Sequence, residues 1–228
     1  MPITIEKKGL QTLLNMLLSC KCPVTEETER ALFEIYHQVK DQELIDFSAL
    51  LEAAEINPQR TPLHLVADFC SWSRDSLSEF TITHNDIIRY SCTGQHFDHF
   101  LKAVNPLIIR DTASFMVGHM LVPATLKKEN DTLVAEYTEG EHTARFLNIL
   151  LPPEIPWQYD GVYGVHLGTV LTMLDSEQER MVREHLANIQ EFATIAKDVE
   201  CIDYQKFQRY GNYQEQVQIR IARNFPGS

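Results

Sequence analysis

Thr125-Leu126-Lys127-Lys128-Glu129-Asn130-Asp131-Thr132-Leu133-Val134-Ala135-Glu136-Tyr137 is the stretch where the chain changes character. Its end, Thr132 to Tyr137, is rich in residues that favour strands, and the polar run Lys127 to Asp131 interrupts it. That pattern predicts a hairpin. Toward the C-terminus, Glu141 to Leu151 is ambiguous between strand and helix. Pro152, Pro153 and Pro156 then force an extended surface loop, which leads into Val162 to Leu174, a buried strand. Ser176 is placed to cap a long helix reaching Val199, with Val182, Leu186, Ile189, Ala193 and Ala196 stepping by four and three. Val217, Ile219 and Ile221 alternate like a final strand.

Toward the N-terminus the period is helical. Leu10, Leu13, Leu14, Leu17 and Leu18 form the stripe of an amphipathic helix facing a core. Lys7 and Lys8 ahead of this stretch and Cys20 after it loosely imitate a lipoprotein signal, but Glu6, Gln11, Thr12 and Asn15 interrupt it. Thr25 caps a second helix with Glu26, Glu27 and Glu29 in its first turn and Leu32, Ile35 and Val39 as its stripe. Asp41 to Ala54 reads as a third helix, with Leu44, Phe47, Leu51 and Ala54 on one side. Thr83 caps a helix near His84 to Ser91, and Gly94 introduces another through Ala103.

Thr61-Pro62-Leu63-His64-Leu65 resembles the start of an ankyrin repeat, in which threonine caps, proline opens the helix and histidine hydrogen-bonds back across the turn. The resemblance covers five residues. Val66 stands where that repeat has alanine and nothing recurs 33 residues away, so the resemblance implies only a local helix from Pro62 to about Trp72. The expected fold is α+β and predominantly helical. A mainly helical region spans 1–118. The region 119–228 holds a small antiparallel sheet and a long amphipathic helix, and the two form one domain or two.

Composition narrows the function. With 228 residues, 44% hydrophobic and 23% charged, the chain has the mix of a globular protein and is long enough for a sizeable core. Acidic residues outnumber basic ones 32 to 20, a formal charge of −12 that repels phosphate backbones, so nucleic acid is not an expected partner. Five cysteines at irregular spacing, an odd number, point to reduced thiols in a cytoplasm. No window reaches the roughly 18 apolar residues of a membrane span. Between Glu26 and Glu55, nine acids face only Arg30 and Lys40, an acidic surface that serves solubility or docking.

Reactive residues are scattered. His96-Phe97-Asp98-His99 puts His96 and His99 on one helical face, where they would pinch a metal ion if His84, Asp86, His119, His142 or His166 supplied further ligands. His84 and Asp86 with His142 give the donor set of a facial triad, resembling the 2-oxoglutarate oxygenases, whose barrel needs about eight strands. Cys20 and Cys22 would need two more ligands to hold a soft metal, and Cys92 beside Gly94 and His96 has the makings of a nucleophile with a base nearby. Glycine elbows, P-loops and dinucleotide fingerprints are missing, and no cofactor is expected.

The segment Pro152 to Gly164 holds Trp157, Tyr159 and Tyr163 in a proline-stiffened loop, and stiff aromatic residues are common anchors of protein interfaces. The expected function is therefore a non-enzymatic, acidic protein-interaction module, itself an oligomer or a complex subunit. It would bind protein partners through this loop, the acidic helical face and the long helix. In size and charge the chain is similar to the small acidic adaptors and secretion chaperones of bacteria, a likeness that carries no motif. The alternative is an enzyme with a cysteine nucleophile at Cys92 or a metal at His96, Asp98 and His99.

Overall fold

The hairpin at 125–137 forms, and it belongs to a larger sheet than the sequence suggests. A computed structural model describes residues 3–19, 24–72, 80–92, 117–189, 197, 199–205 and 213–226. The chain divides into two compact units, Met1–Tyr90 and Ser91–Ser228. It is α+β, but not predominantly helical: the described residues hold a three-stranded and a six-stranded sheet, both mixed.

In the first unit, β1 (Ile3–Glu6) is the middle strand, antiparallel to β2 (Leu44–Asp46) and parallel to β3 (Phe80–Ile82). These strands were invisible to periodicity because each is only three or four residues long. α1 (Lys7–Ser19) follows β1 directly. All five of its leucines are buried, and so are Thr12, Asn15 and Met16, so the helix is enclosed and not merely amphipathic. The Thr12 hydroxyl donates to Lys8 O at 2.8 Å, which satisfies a polar group the core would otherwise penalise.

α2 (Glu26–Val39) begins at its expected cap, where Thr25 Oγ1 accepts the Thr28 N–H at 3.2 Å. Its buried face is Thr28, Glu29, Leu32, Phe33 and Tyr36, rotated from the expected stripe, while Ile35 and Val39 are half-buried. The third helix is shorter than expected. Residues 44–46 pair with β1, Asp46 caps through its side chain on Ser48 N, and α3 is Phe47–Ala54. α4 (Pro62–Trp72) opens as the ankyrin-like start implies, with the Thr61 N–H donating to His64 Nδ1 at 3.2 Å. α5 (His84–Cys92) starts after Thr83, whose hydroxyl accepts the Asp86 N–H at 3.2 Å.

The second unit is built on the six-stranded sheet. Its strands are β4 (Val122–Glu129), β5 (Thr132–Glu139), β6 (His142–Leu147), β7 (Val162–His166), β8 (Thr169–Leu174) and β9 (Cys201–Asp203), in the order β8-β7-β4-β5-β6-β9. Neighbours are antiparallel except β6 and β9. The β4–β5 turn is made by Asn130 and Asp131, both at positive φ (45° and 66°), the backbone that matches strand twist in a two-residue hairpin.

Val162 to Leu174 is not one strand but the β7–β8 hairpin, turned at Leu167 and Gly168 (φ 48° and 71°). Beyond β6, Leu150 bonds the outer edge of β8: its N–H donates to Gly168 O at 2.8 Å and its carbonyl accepts from Val170 N at 2.9 Å.

The expected long helix is also revised. α6 is Ser176–Asn188, 13 residues or about 20 Å, and its N-cap is Asp175, in a reciprocal box with Gln178. It lies on the sheet through buried Val182 and Leu186, with the Arg183 guanidinium 5.6 Å over the Tyr137 ring and donating to Thr138 O. Residues 217–221 belong to a helix, α7 (Tyr213–Asn224), not a strand. Val217 is buried against Leu167, with Leu150 and Ile221 packed beside them. No described helix is long and apolar enough to cross a membrane.

Candidate functional site

The loop that joins β6 to β7 carries the aromatic residues singled out in the sequence. It leaves the sheet at Asn148 (φ 60°), whose amide donates to Asp203 Oδ1 at 2.7 Å, and is tied to β8 by Leu150. Ile155 N donates to Pro152 O at 3.1 Å, and the Ile155 side chain is buried. The tip is a four-residue turn, with Gly161 N donating to Gln158 O at 3.2 Å. Tyr159 and Asp160 lie at its centre, and Asp160 is in the left-handed region at φ 61°.

Tyr159 is 87% exposed and Trp157 43% exposed. Tyr163 does not share that surface. It is fully buried in β7, a strand whose residues Tyr163 to His166 are all buried. Its hydroxyl donates to Pro156 O at 3.0 Å and accepts the Gln158 N–H at 2.7 Å, which clamps the turn from below. A side chain at Gly161 would meet the Tyr163 ring at 3.0 Å and Gln158 O at 3.2 Å, so the tip lies directly on that ring. The result is two large aromatic side chains offered to solvent on a backbone held at several points. Such a feature gains affinity by burying area without ordering a loop.

The residues considered for catalysis and metal binding are otherwise engaged. His84 is buried with Nε2 3.0 Å from Thr12 Oγ1, and the Asp86 carboxylate accepts from Thr83 N and Oγ1. His142 Nε2 lies 3.0 Å from Val199 O. These contacts hold a helix start and a strand edge. His119 and His166 are brought together, their rings edge-to-face at 6.0 Å and both buried. Among the described residues no group of three or more His, Cys, Asp or Glu is placed to hold a metal.

Cys92 is buried, and burial pushes its thiol up to about 12, so at neutral pH it carries a proton and is a poor nucleophile. Cys20, Cys22, His96, Asp98 and His99, and the helix expected from Gly94 to Ala103, lie outside the described residues.

The acidic face of the first unit is present. Glu26, Glu27, Glu34, Asp41, Glu43, Asp46, Glu52 and Glu55 are exposed, whereas Glu29 is buried. Sequence reasoning missed a second surface. Taking 217–221 for a strand hid the outer side of α7, where Ile219 is exposed beside an open apolar groove of about 410 Å³ lined by Leu150, Leu151, Pro153, Ile221 and Phe225. The step of four from Val217 to Ile221 to Phe225 was the signal for a helix. No protein family, curated protein or solved structure matches this chain.

Proposed function

We propose that this chain is a non-enzymatic protein-interaction module, adaptor-like or chaperone-like, that docks on a partner protein through Trp157 and Tyr159. The observation that carries the reading is the combination of exposure and rigidity: both rings face solvent, while Tyr163 fixes the backbone that presents them. An anchor of this kind enters a pocket on the partner as a hot spot, because its two side chains add large apolar area and each keeps one hydrogen-bonding group for orientation.

The acidic surface of α2 and α3 supports the same reading in a different way. Its charge disfavours nucleic acid and, where a partner is basic, speeds encounter. Cys70, Cys92 and Cys201 are not in disulfides, which fits a reducing compartment, and we assign the module to the cytoplasm.

Affinity purification from the native cell, comparing the wild type with the Trp157→Ala/Tyr159→Ala double variant, tests the proposal. Tyr159 is 87% exposed and Trp157 43%, and circular dichroism of the variant checks that it folds as the wild type does. A protein retained by the wild type and reduced at least about tenfold with the variant supports the loop as anchor, since two such residues contribute several kcal/mol at a hot spot. An unchanged set of co-purifying proteins removes it.

A further inference from the structure

We propose that Asp160-Gly161, at the tip of the 148–161 loop, is a site of spontaneous backbone modification, where Asp160 passes through a cyclic imide to isoaspartate at a rate set by the Tyr163 clamp. It is the only Asp-Gly step in the chain, and no Asn-Gly step occurs. The residue after an aspartate shields its own nitrogen with its side chain, and glycine has none. Here packing demands the glycine, since a Cβ at 161 would meet the Tyr163 ring at 3.0 Å and Gln158 O at 3.2 Å. The contact that seats the tip on Tyr163 thus also places the least hindered nitrogen after Asp160.

The setting of Asp160 favours the reaction. Its side chain is exposed, so water reaches it. Among the described residues its carboxyl has no hydrogen-bond or ion-pair partner, so nothing holds it away from the next nitrogen. Its backbone sits at φ 61°, which L-residues adopt at a cost, and isoaspartate, whose main chain is longer by one methylene, is not bound to that conformation. Asp175-Ser176 is the contrast. A small residue follows there too, but Asp175 Oδ1 accepts the Gln178 N–H at 2.9 Å and Ser176 is already in α6.

Water is the only co-reactant. The nitrogen of Gly161 bonds to Cγ of the protonated Asp160 carboxyl, and its hydrogen and the carboxyl hydroxyl leave together as water. Water then adds to one of the two imide carbonyls. Cleavage between Gly161 N and Cγ restores aspartate. Cleavage between Gly161 N and the main-chain carbonyl carbon of Asp160 leaves the chain running through Cβ and Cγ, with a new α-carboxylate, and no electrons are exchanged. Before it attacks, Gly161 N must give up its bond to Gln158 O, and the turn must open. Tyr163 resists that opening, because its hydroxyl accepts from Gln158 N at 2.7 Å and donates to Pro156 O at 3.0 Å. On the docking reading above, conversion displaces Tyr159 relative to Trp157 and weakens the anchor as the protein ages.

The test warms the purified full chain at neutral pH beside a synthetic peptide of residues 154–164, which has the same dipeptide without the folded clamp. Isoaspartate is counted by enzymatic methylation of the new α-carboxylate and located by peptide fragmentation, with circular dichroism of each variant beforehand. It appears at 160, preceded by an imide one water lighter, and not at 175. The full chain converts at least about tenfold more slowly than the peptide, and Tyr163→Phe speeds it at least about fivefold, since losing a bond that holds the turn closed raises the open population. Asp160→Glu, which would need a larger ring, forms none. A wild type with no conversion at 160 long after the peptide has reached its plateau overturns the proposal. So does conversion as fast as in the peptide, equal conversion at Asp175, or a Tyr163→Phe chain that folds as the wild type yet converts no faster. Every readout comes from the isolated chain, so this chemistry stands or falls apart from the docking of Trp157 and Tyr159.

Discussion

The hydroxyl of Tyr163 accepts the backbone N–H of Gln158 at 2.7 Å, tying the floor of the 148–161 loop to its tip. The same oxygen donates to Pro156 O, so one atom fixes the backbone on both sides of Trp157. Tyr163→Phe keeps the ring and deletes both bonds, leaving a partly buried N–H without its acceptor, at a cost of about 1–3 kcal/mol. Amide exchange at Gln158 to Asp160 then quickens and the fluorescence anisotropy of Trp157 falls. Unchanged exchange at Gln158 would mean that the loop is held by something other than this bond.

At the β7–β8 turn, a side chain added to Gly168 would meet the ring of Tyr204 at 2.6 Å, and the backbone there has φ 71°. Tyr204 is buried and cannot swing clear. Gly168→Ala therefore combines overpacking with left-handed strain and destabilises by about 2–4 kcal/mol in urea titration. Tyr204→Leu recovers part of that loss in the double variant, because the clash is with the ring.

Alkaline pH weakens the fold through Cys92. Its folded-state pKa is pushed up to about 12, above the ordinary thiol value near 9, so the stability this thiol contributes is complete below about pH 9 and is lost as pH rises toward 12. Each pH unit in that window removes about 1.4 kcal/mol. Urea unfolding at pH 8 and pH 10 shows the loss in the wild type. Cys92→Ala, which has no proton to release there, loses less by about 1 kcal/mol. Equal losses would place the alkaline sensitivity elsewhere.

Asp175 and Ser176 separate two assignments of the start of α6. Asp175 Oδ1 accepts the Gln178 N–H at 2.9 Å, and Gln178 Oε1 accepts the Asp175 N–H at 3.1 Å. Asp175→Ala costs about 1 kcal/mol in thermal unfolding, whereas Ser176→Ala, inside the first turn, changes little. The reverse order would restore the cap to Ser176.

What the sequence disclosed was mostly local chemistry. Thr25 and Thr83 mark helix starts because each hydroxyl accepts a backbone N–H three residues on, and Thr61 does so through the His64 ring three residues on; these are short-range features, readable without tertiary contacts. The β4–β5 hairpin was equally legible. Its partner at β7–β8 was not, because Leu167 occupies a turn position with positive φ and offers no turn signature; burial against Val217 holds it there. β2 formed inside an expected helix because pairing with β1 overrides the propensity of three residues. In the candidate site, proline and aromatic spacing located the loop, but only the three-dimensional arrangement distinguished the exposed Trp157 and Tyr159 from the inward Tyr163.

β1 is completed by β3, which follows it by some 77 residues, with Ile3 in register with Phe80. At about 5–20 residues per second, a ribosome takes roughly 4–15 s to deliver the second partner after the first. During that interval the enclosed leucines of α1 have no finished sheet to rest on. The first unit is thus a late closer in synthesis, most exposed to chaperones and proteases until Phe80 to Ile82 has left the exit tunnel.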